Sequence, residues 1–158
     1  MNKNDWFAVS SALLLTACAG SRPAPRTEPA ILASTAVGKE YYENARRTVE
    51  PFVLQEISTD STYGFTSKNP VNVGGGFESG ARNEQRYLNA LRGPGGQTVT
   101  YERRGSCCLF KTSHGMNGMG LLDAYLVTWE GNAKPKVLYL NLYDDGWLKA
   151  PKGFAVAR

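Results

Sequence analysis

Two apolar-rich stretches, residues 121–130 and 136–143, constrain the fold of this chain more than anything else in it. Each has the length and β-branched or aromatic content of a strand. Five residues, Gly131-Asn132-Ala133-Lys134-Pro135, separate them. So short a connection, carrying glycine and proline, joins antiparallel neighbours, and the segment reads as a hairpin. A symmetric loop sets Glu130 against Lys136, then Thr128 against Leu138, Leu126 against Leu140 and Ala124 against Leu142. That face is aliphatic and is the expected core. The opposite face sets Trp129 against Val137, Val127 against Tyr139, Tyr125 against Asn141 and Asp123 against Tyr143. Flat rings with polar tips beside directional hydrogen-bonding groups suit a glycan or a peptide. Asp123, Tyr125, Trp129, Tyr139, Asn141 and Tyr143 are therefore the expected ligand-binding residues. The competing reading is a second core layer covering that face. A slip of one residue in the register would scramble the assignment.

The rest of the chain supplies one good helix and several weaker strands. Ser79 is a plausible N-cap; Ala81, Leu88 and Leu91 recur on one face with Tyr87 beside them, and Gly93-Pro94 is the expected stop. Arg82, Asn83, Arg86 and Asn89 form the polar face. Residues 98–103 alternate as a strand, 107–111 suggest another, and 112–120 read as a loop rich in Gly, Met and Asn. Residues 52–58 read as a strand, 69–73 as extended chain because a residue before proline avoids the helical region, and 150–158 as a last edge strand. A short helix fits residues 40–48. The expected fold is α+β: a mostly antiparallel sheet of five or six strands with one main helix packed on it. Residues 38–158 form a single globular domain of this kind.

The chain has three cysteines and one histidine. Cys107 and Cys108 are adjacent. On a regular strand their side chains point to opposite faces, and their Cα atoms stand about 3.8 Å apart, below the usual disulfide window of about 4.4–6.8 Å. A disulfide between them is possible and strained; buried thiols are the other reading. With His114 they are also the only residues that offer a thiol nucleophile and an imidazole base, the basis of a small hydrolase or thiol enzyme. A zinc site spaces its cysteines by two to four residues, so no metal site is expected. Gly74-Gly75-Gly76 lacks the Gly-Lys-Ser/Thr of a phosphate loop, and residues 115–120 lack dinucleotide-loop spacing. Asp144-Asp145-Gly146 reads as a turn. No pair of carboxylates stands out for acid–base work.

At the N-terminus an apolar run from Trp6 ends at Leu15-Thr16-Ala17-Cys18. A run of about 12 residues has the length of a secretory h-region and is too short to span a membrane. The tetrapeptide resembles the lipobox of bacterial lipoproteins. That resemblance implies removal of residues 1–17 as a signal peptide, lipidation of Cys18, and, with Ala19 in place of an aspartate after it, delivery to the outer membrane, facing the periplasm. The covalent diacylglycerol and N-acyl chain on Cys18 would then be the only lipid or cofactor the protein carries. Residues 18–37, with Pro23, Pro25 and Pro29, read as a flexible tether reaching roughly 25 Å.

The globular half also resembles a known group. Asn69-Pro-Val-Asn-Val-Gly-Gly-Gly, Arg86-Tyr-Leu-Asn-Ala-Leu-Arg-Gly-Pro, Gly105-Ser-Cys-Cys, Gly120-Leu-Leu-Asp-Ala-Tyr, and Leu138-Tyr-Leu-Asn-Leu-Tyr with Leu148-Lys-Ala-Pro-Lys-Gly-Phe are similar to stretches of small bacterial envelope proteins with no established activity. Some relatives are labelled 2-dehydro-3-deoxyphosphooctonate aldolase. That enzyme is a (β/α)₈ barrel of about 250 residues, and this chain has 158. The resemblance supplies no catalytic residues. It implies a lipid-anchored, non-enzymatic binding or interaction module whose partners are the membrane, through its anchor, and an envelope protein or glycan. Net charge is +4 with the basic residues dispersed, which suits a mildly anionic surface; nucleic acid is not an expected partner.

Overall fold

The structure is a computed structural model that describes residues 49–157. The expected signal peptide, the lipidated cysteine with its tether, and the short helix at 40–48 lie outside the described residues. The elements in chain order are β1 (Val71–Asn72), α1 (Gly76–Ala90), β2 (Leu91–Arg92), β3 (Val99–Met116), β4 (Met119–Trp129), β5 (Lys136–Asn141) and β6 (Ala155–Val156). Four strands form one sheet in the order β1-β5-β4-β3, and β2 pairs with β6 in a separate ribbon. The α+β class holds. The sheet is smaller than five or six strands, and it is mixed, because β1 runs parallel to β5 while the β5/β4 and β4/β3 pairs are antiparallel.

Helix α1 is stabilised by its buried stripe. Gly80, Glu84, Tyr87 and Leu88 are buried, which is the i, i+4, i+7, i+8 spacing of a helix with one face on a core. It begins four residues earlier than the Ser79 cap suggests. Gly75 caps it at φ 95° with no side-chain hydrogen bond, and the Gly76 amide donates to the Leu142 carbonyl at 2.8 Å. A left-handed cap of this kind favours glycine. Ala81 is exposed; the position on the buried stripe is Glu84.

The β3/β4 hairpin extends further than the sequence suggests. Residues 112–120, expected as a loop, lie largely within the two strands. Met116 pairs with Met119 across Asn117 and Gly118, whose φ values are 54° and 76°. Asn-Gly is the preferred pair for a two-residue hairpin turn with both residues at positive φ. Along β3 the register shifts between Arg103 and Gly105, between Cys107 and Leu109, and between Lys111 and Met116. Each bulge re-aims the side chains that follow it.

The β4/β5 register differs from the symmetric expectation. Val127 pairs with Lys136, Tyr125 with Leu138 and Asp123 with Leu140, a displacement of three residues. An odd displacement turns β5 over. Leu138 and Leu140 thus join Tyr125, Val127 and Asp123 on the side that α1 covers, and that side is the core, together with Val71, Leu88, Leu91 and Val99. Residues 52–58 form no strand and contribute a single parallel bridge, Ile57 to Ala150. Of 150–158, only Ala155–Val156 is strand, and it pairs with β2.

Candidate functional site

The six residues expected to share a binding face are divided between the two sides of the sheet. Asp123 and Tyr125 are 5% and 6% exposed, beneath α1. Trp129 packs edge-on to Phe154 with ring centroids 5.2 Å apart. Asn141, 2% exposed, faces the side away from the helix, as does the half-buried Tyr139. Tyr143 follows β5 and meets the rings of Phe77 and Phe110 edge-on, at 5.6 and 6.0 Å.

Beneath the helix, the bulge at Arg104 places Arg103 and Ser106 on one side of β3. Arg103 donates from Nε and Nη2 to the two carboxylate oxygens of Asp123, both at 2.7 Å, and Ser106 Oγ donates to Asp123 Oδ1 at 2.7 Å. This is the planar fork that only arginine makes. Next to it Tyr125 Oη donates to Glu84 Oε2 at 2.8 Å. Glu84 is fully buried, and its Oε1 has no hydrogen-bond donor. Burial is the main cause that pushes the Glu84 carboxyl up to about 8; the Tyr125 hydrogen bond opposes the rise and the neighbouring Asp123 adds to it. Glu84 is therefore a neutral acid at pH 7, beside an aspartate held by arginine. A small cleft of about 320 Å³ opens here, lined by Glu84, Tyr101, Arg103, Asp123, Tyr125 and Leu142 among others.

On the other side lies a larger cleft of about 670 Å³, within the usual range of ligand sites. Pro70 and Asn72 come from β1 and its approach, Cys108, Leu109 and Phe110 from β3, Leu122 from β4, and Asn141 and Asp144 from the end of β5 and the turn after it; Ser67 and Lys68 close the rim. A polar frame holds one end of the cleft. Asn141 Nδ2 donates to Asn72 Oδ1 at 3.0 Å and to Asp144 Oδ2 at 2.9 Å, and Asn141 Oδ1 accepts from the Tyr143 amide at 2.9 Å. The excursion of β3 between Lys111 and Met116 brings Thr112 and His114 to the same carboxylate: Thr112 Oγ1 donates to Asp144 Oδ1 at 2.6 Å, and His114 Nδ1 lies 2.8 Å from it. Burial would raise the Asp144 carboxyl, but the hydrogen bonds from Thr112, His114 and Asn141 outweigh it and hold the group below the ordinary carboxylate range.

Cys107 and Cys108 are joined as a vicinal disulfide, with Cα atoms 3.8 Å apart. The bulge removes the geometric obstacle that a regular strand would present. Cys108 is the extra residue between the pairs Cys107–Leu122 and Leu109–Leu121, and its φ of 58° turns its side chain out of the strand alternation. The paired sulfurs leave no thiolate, and His114 is engaged with Asp144. Among the described residues no group of three or more His, Cys, Asp or Glu is placed to hold a metal ion, and no helix is long and apolar enough to cross a membrane.

The sequence reading missed Glu84, Asn72, Asp144 and Thr112 as parts of a site. Glu84 had a visible signal, a charged residue four before Leu88 on the apolar stripe. The other three had none, because only the fold brings them together. No known protein family, curated protein or solved structure matches the chain.

Proposed function

We propose that this chain is a lipid-anchored protein of the cell envelope that acts as a binding module and not as an enzyme. In this reading Cys18 carries the diacylglycerol and N-acyl chains in the outer membrane, residues 18–37 are the tether, and the domain presents the larger cleft to a ligand. One observation carries it: a cleft of about 670 Å³ whose polar end is already assembled by Asn72, Asn141, Asp144 and Thr112. A site organised before the ligand arrives loses little ordering entropy on binding. The thiol-enzyme alternative needs a free thiolate beside His114, and the arrangement of the disulfide and the His114–Asp144 contact weighs against it.

The test uses the full-length chain. An alkyne fatty acid fed to the expressing cells should label the wild-type protein and leave Cys18→Ser unlabelled. The purified lipoprotein, in detergent, is then screened by hydrogen exchange against envelope saccharides and peptides. Protection concentrated at Leu109, Phe110, Asn72 and Asn141 supports the reading. A labelled Cys18→Ser variant, or ligand protection confined to other surfaces, overturns it.

A further inference from the structure

We infer that the larger cleft takes a ligand carrying an anionic acceptor group, a carboxylate or a phosphate, on a compact body with one apolar face. The inference rests on the binding-module reading and specifies its ligand. It follows from which polar groups on the wall are already used.

Asn141 is saturated. Both its amide hydrogens are given, to Asn72 and Asp144, and its carbonyl accepts from the Tyr143 and Asp144 amides. An asparagine has no further strong capacity. Asp144, the one anion on this wall, has three donors around its two oxygens. Several donors on the wall remain unspent. Asn72 accepts at Oδ1, and its Nδ2 has no partner among the described residues. Lys68 Nζ and the Ser67 hydroxyl likewise have no hydrogen bond or ion pair among the described residues, and both are exposed at the rim. The free donor capacity therefore consists of two amide hydrogens, an ammonium group and a hydroxyl, the last of which can also accept. A ligand rich in acceptors satisfies all of them; a ligand rich in donors leaves the Asn72 amide hydrogens and the Lys68 ammonium unpaired. The ammonium adds a preference for negative charge. The remaining wall, Pro70, Leu109, Phe110 and Leu122, is apolar and fits the hydrophobic face of a sugar ring or a short acyl or aryl group.

The same chemistry could come from a uronic acid or from a phosphorylated sugar or headgroup, and the two sources are separable. Full-length lipoprotein in neutral detergent is titrated with glucuronate, glucose 6-phosphate and glucose while the amides of residues 67–72 and 107–110 are followed by NMR. Either anion should shift these amides and bind at least about fivefold to tenfold more tightly than glucose, with the preference shrinking as salt is added. A response to glucuronate alone assigns carboxylate; a response to the phosphate alone assigns phosphate. Lys68→Met, an exposed position that the fold tolerates, should bring the anions to the affinity of glucose. Asn72→Asp keeps the acceptor for Asn141 and should weaken the anions further. If glucose binds in the cleft as well as the anions do, the anionic class is wrong while the binding module stands. If neither anion perturbs the cleft and the wider screen finds another ligand there, the class again fails alone. If nothing binds there at all, both readings fall.

Discussion

On the helix side of the sheet, Glu84 is fully buried with one carboxyl oxygen lacking a donor; on the open side, Asp144 collects hydrogen bonds from Thr112, His114 and Asn141. The two carboxyls lie on opposite faces of a four-stranded sheet and titrate in opposite directions. Burial keeps Glu84 protonated to about pH 8, whereas its donors keep Asp144 ionised below the ordinary range. The difference shows where polarity is structural and where it is presented. Neutral Glu84 ties α1 to Tyr125 within the core, while charged Asp144 organises the wall of an open cleft.

The largest expected effect breaks the helix-side half of this comparison. Glu84 has a folded pKa of about 8 against an ordinary value of 4.5, so the folded state holds a proton that the unfolded state releases. The sign follows: its contribution is fully present below pH 4.5 and is lost as pH rises through 8. The loss is on the order of 5 kcal/mol. Chemical denaturation of the wild type across pH 5–8.5 should show stability falling with pH, and Glu84→Gln should flatten that slope and be the more stable protein at pH 8.5. Equal slopes in the two proteins would mean that Glu84 ionises in the folded state without difficulty. Asp144 works in the other direction. Its contribution is present above pH 3.8 and is lost as pH falls through its lowered folded value.

Next in size is the frame on the open side. Asn141→Leu keeps the branched shape of the side chain and leaves Asn72 Oδ1, Asp144 Oδ2 and the Tyr143 amide each short of a partner at a position only 2% exposed. The cost should be about 3 kcal/mol in urea unfolding. A loss below about 1 kcal/mol would show that water replaces the amide and that the wall is not assembled before a ligand arrives.

How much of this was readable beforehand differs between the two sides. The helix stripe was legible because Tyr87, Leu88 and Leu91 recur at helical spacing, and Glu84 on the same stripe was the sign of a buried acid. The long strands of the central hairpin were legible too. Their register was not, because it depends on where the loop tightens: the Asn132 amide bonds back to Trp129, which moves the pairing by three residues and brings Leu138 and Leu140 to the core. The Asn117-Gly118 turn carried a local signal that the surrounding glycines and methionines obscured. Of the Asp144 frame, Asn141 and His114 stood out in the sequence, but nothing local joined them to Asn72, Thr112 and Asp144. The frame's directly bonded members are separated by up to 69 positions and meet only through the β5 register and the irregular segment of β3 before Met116. The vicinal disulfide depended in the same way on a bulge that spacing does not reveal.

A smaller effect probes how closely α1 approaches the sheet. A Cβ placed on Gly80 would stand 2.7 Å from the Leu142 Cβ, nearer than side-chain carbons pack. Gly80→Ala gains up to about 1 kcal/mol of helix propensity and meets an overpacking cost of about 1–3 kcal/mol. Thermal unfolding should therefore show a net loss of about 1–2 kcal/mol. A neutral or stabilised variant would mean that the helix can move outward without disturbing the Tyr125–Glu84 hydrogen bond beneath it.

The smallest effect separates the charge on the open side from the frame that holds it. His114 lies 2.8 Å from Asp144, but its side chain is 65% exposed against 31% for the aspartate, and an exposed pair contributes at most about 1 kcal/mol. Thr112 and Asn141 remain on the carboxylate when the imidazole is gone, and the His114 amide still donates to Thr112 Oγ1 at 3.2 Å. His114→Ala should therefore cost no more than about 0.5 kcal/mol in urea unfolding and leave ligand-induced protection of the cleft unchanged. If it instead costs as much as Asn141→Leu, the imidazole is a structural member of the frame. The open side would then resemble the helix side, with a carboxyl group fastened into the fold and not offered at a surface.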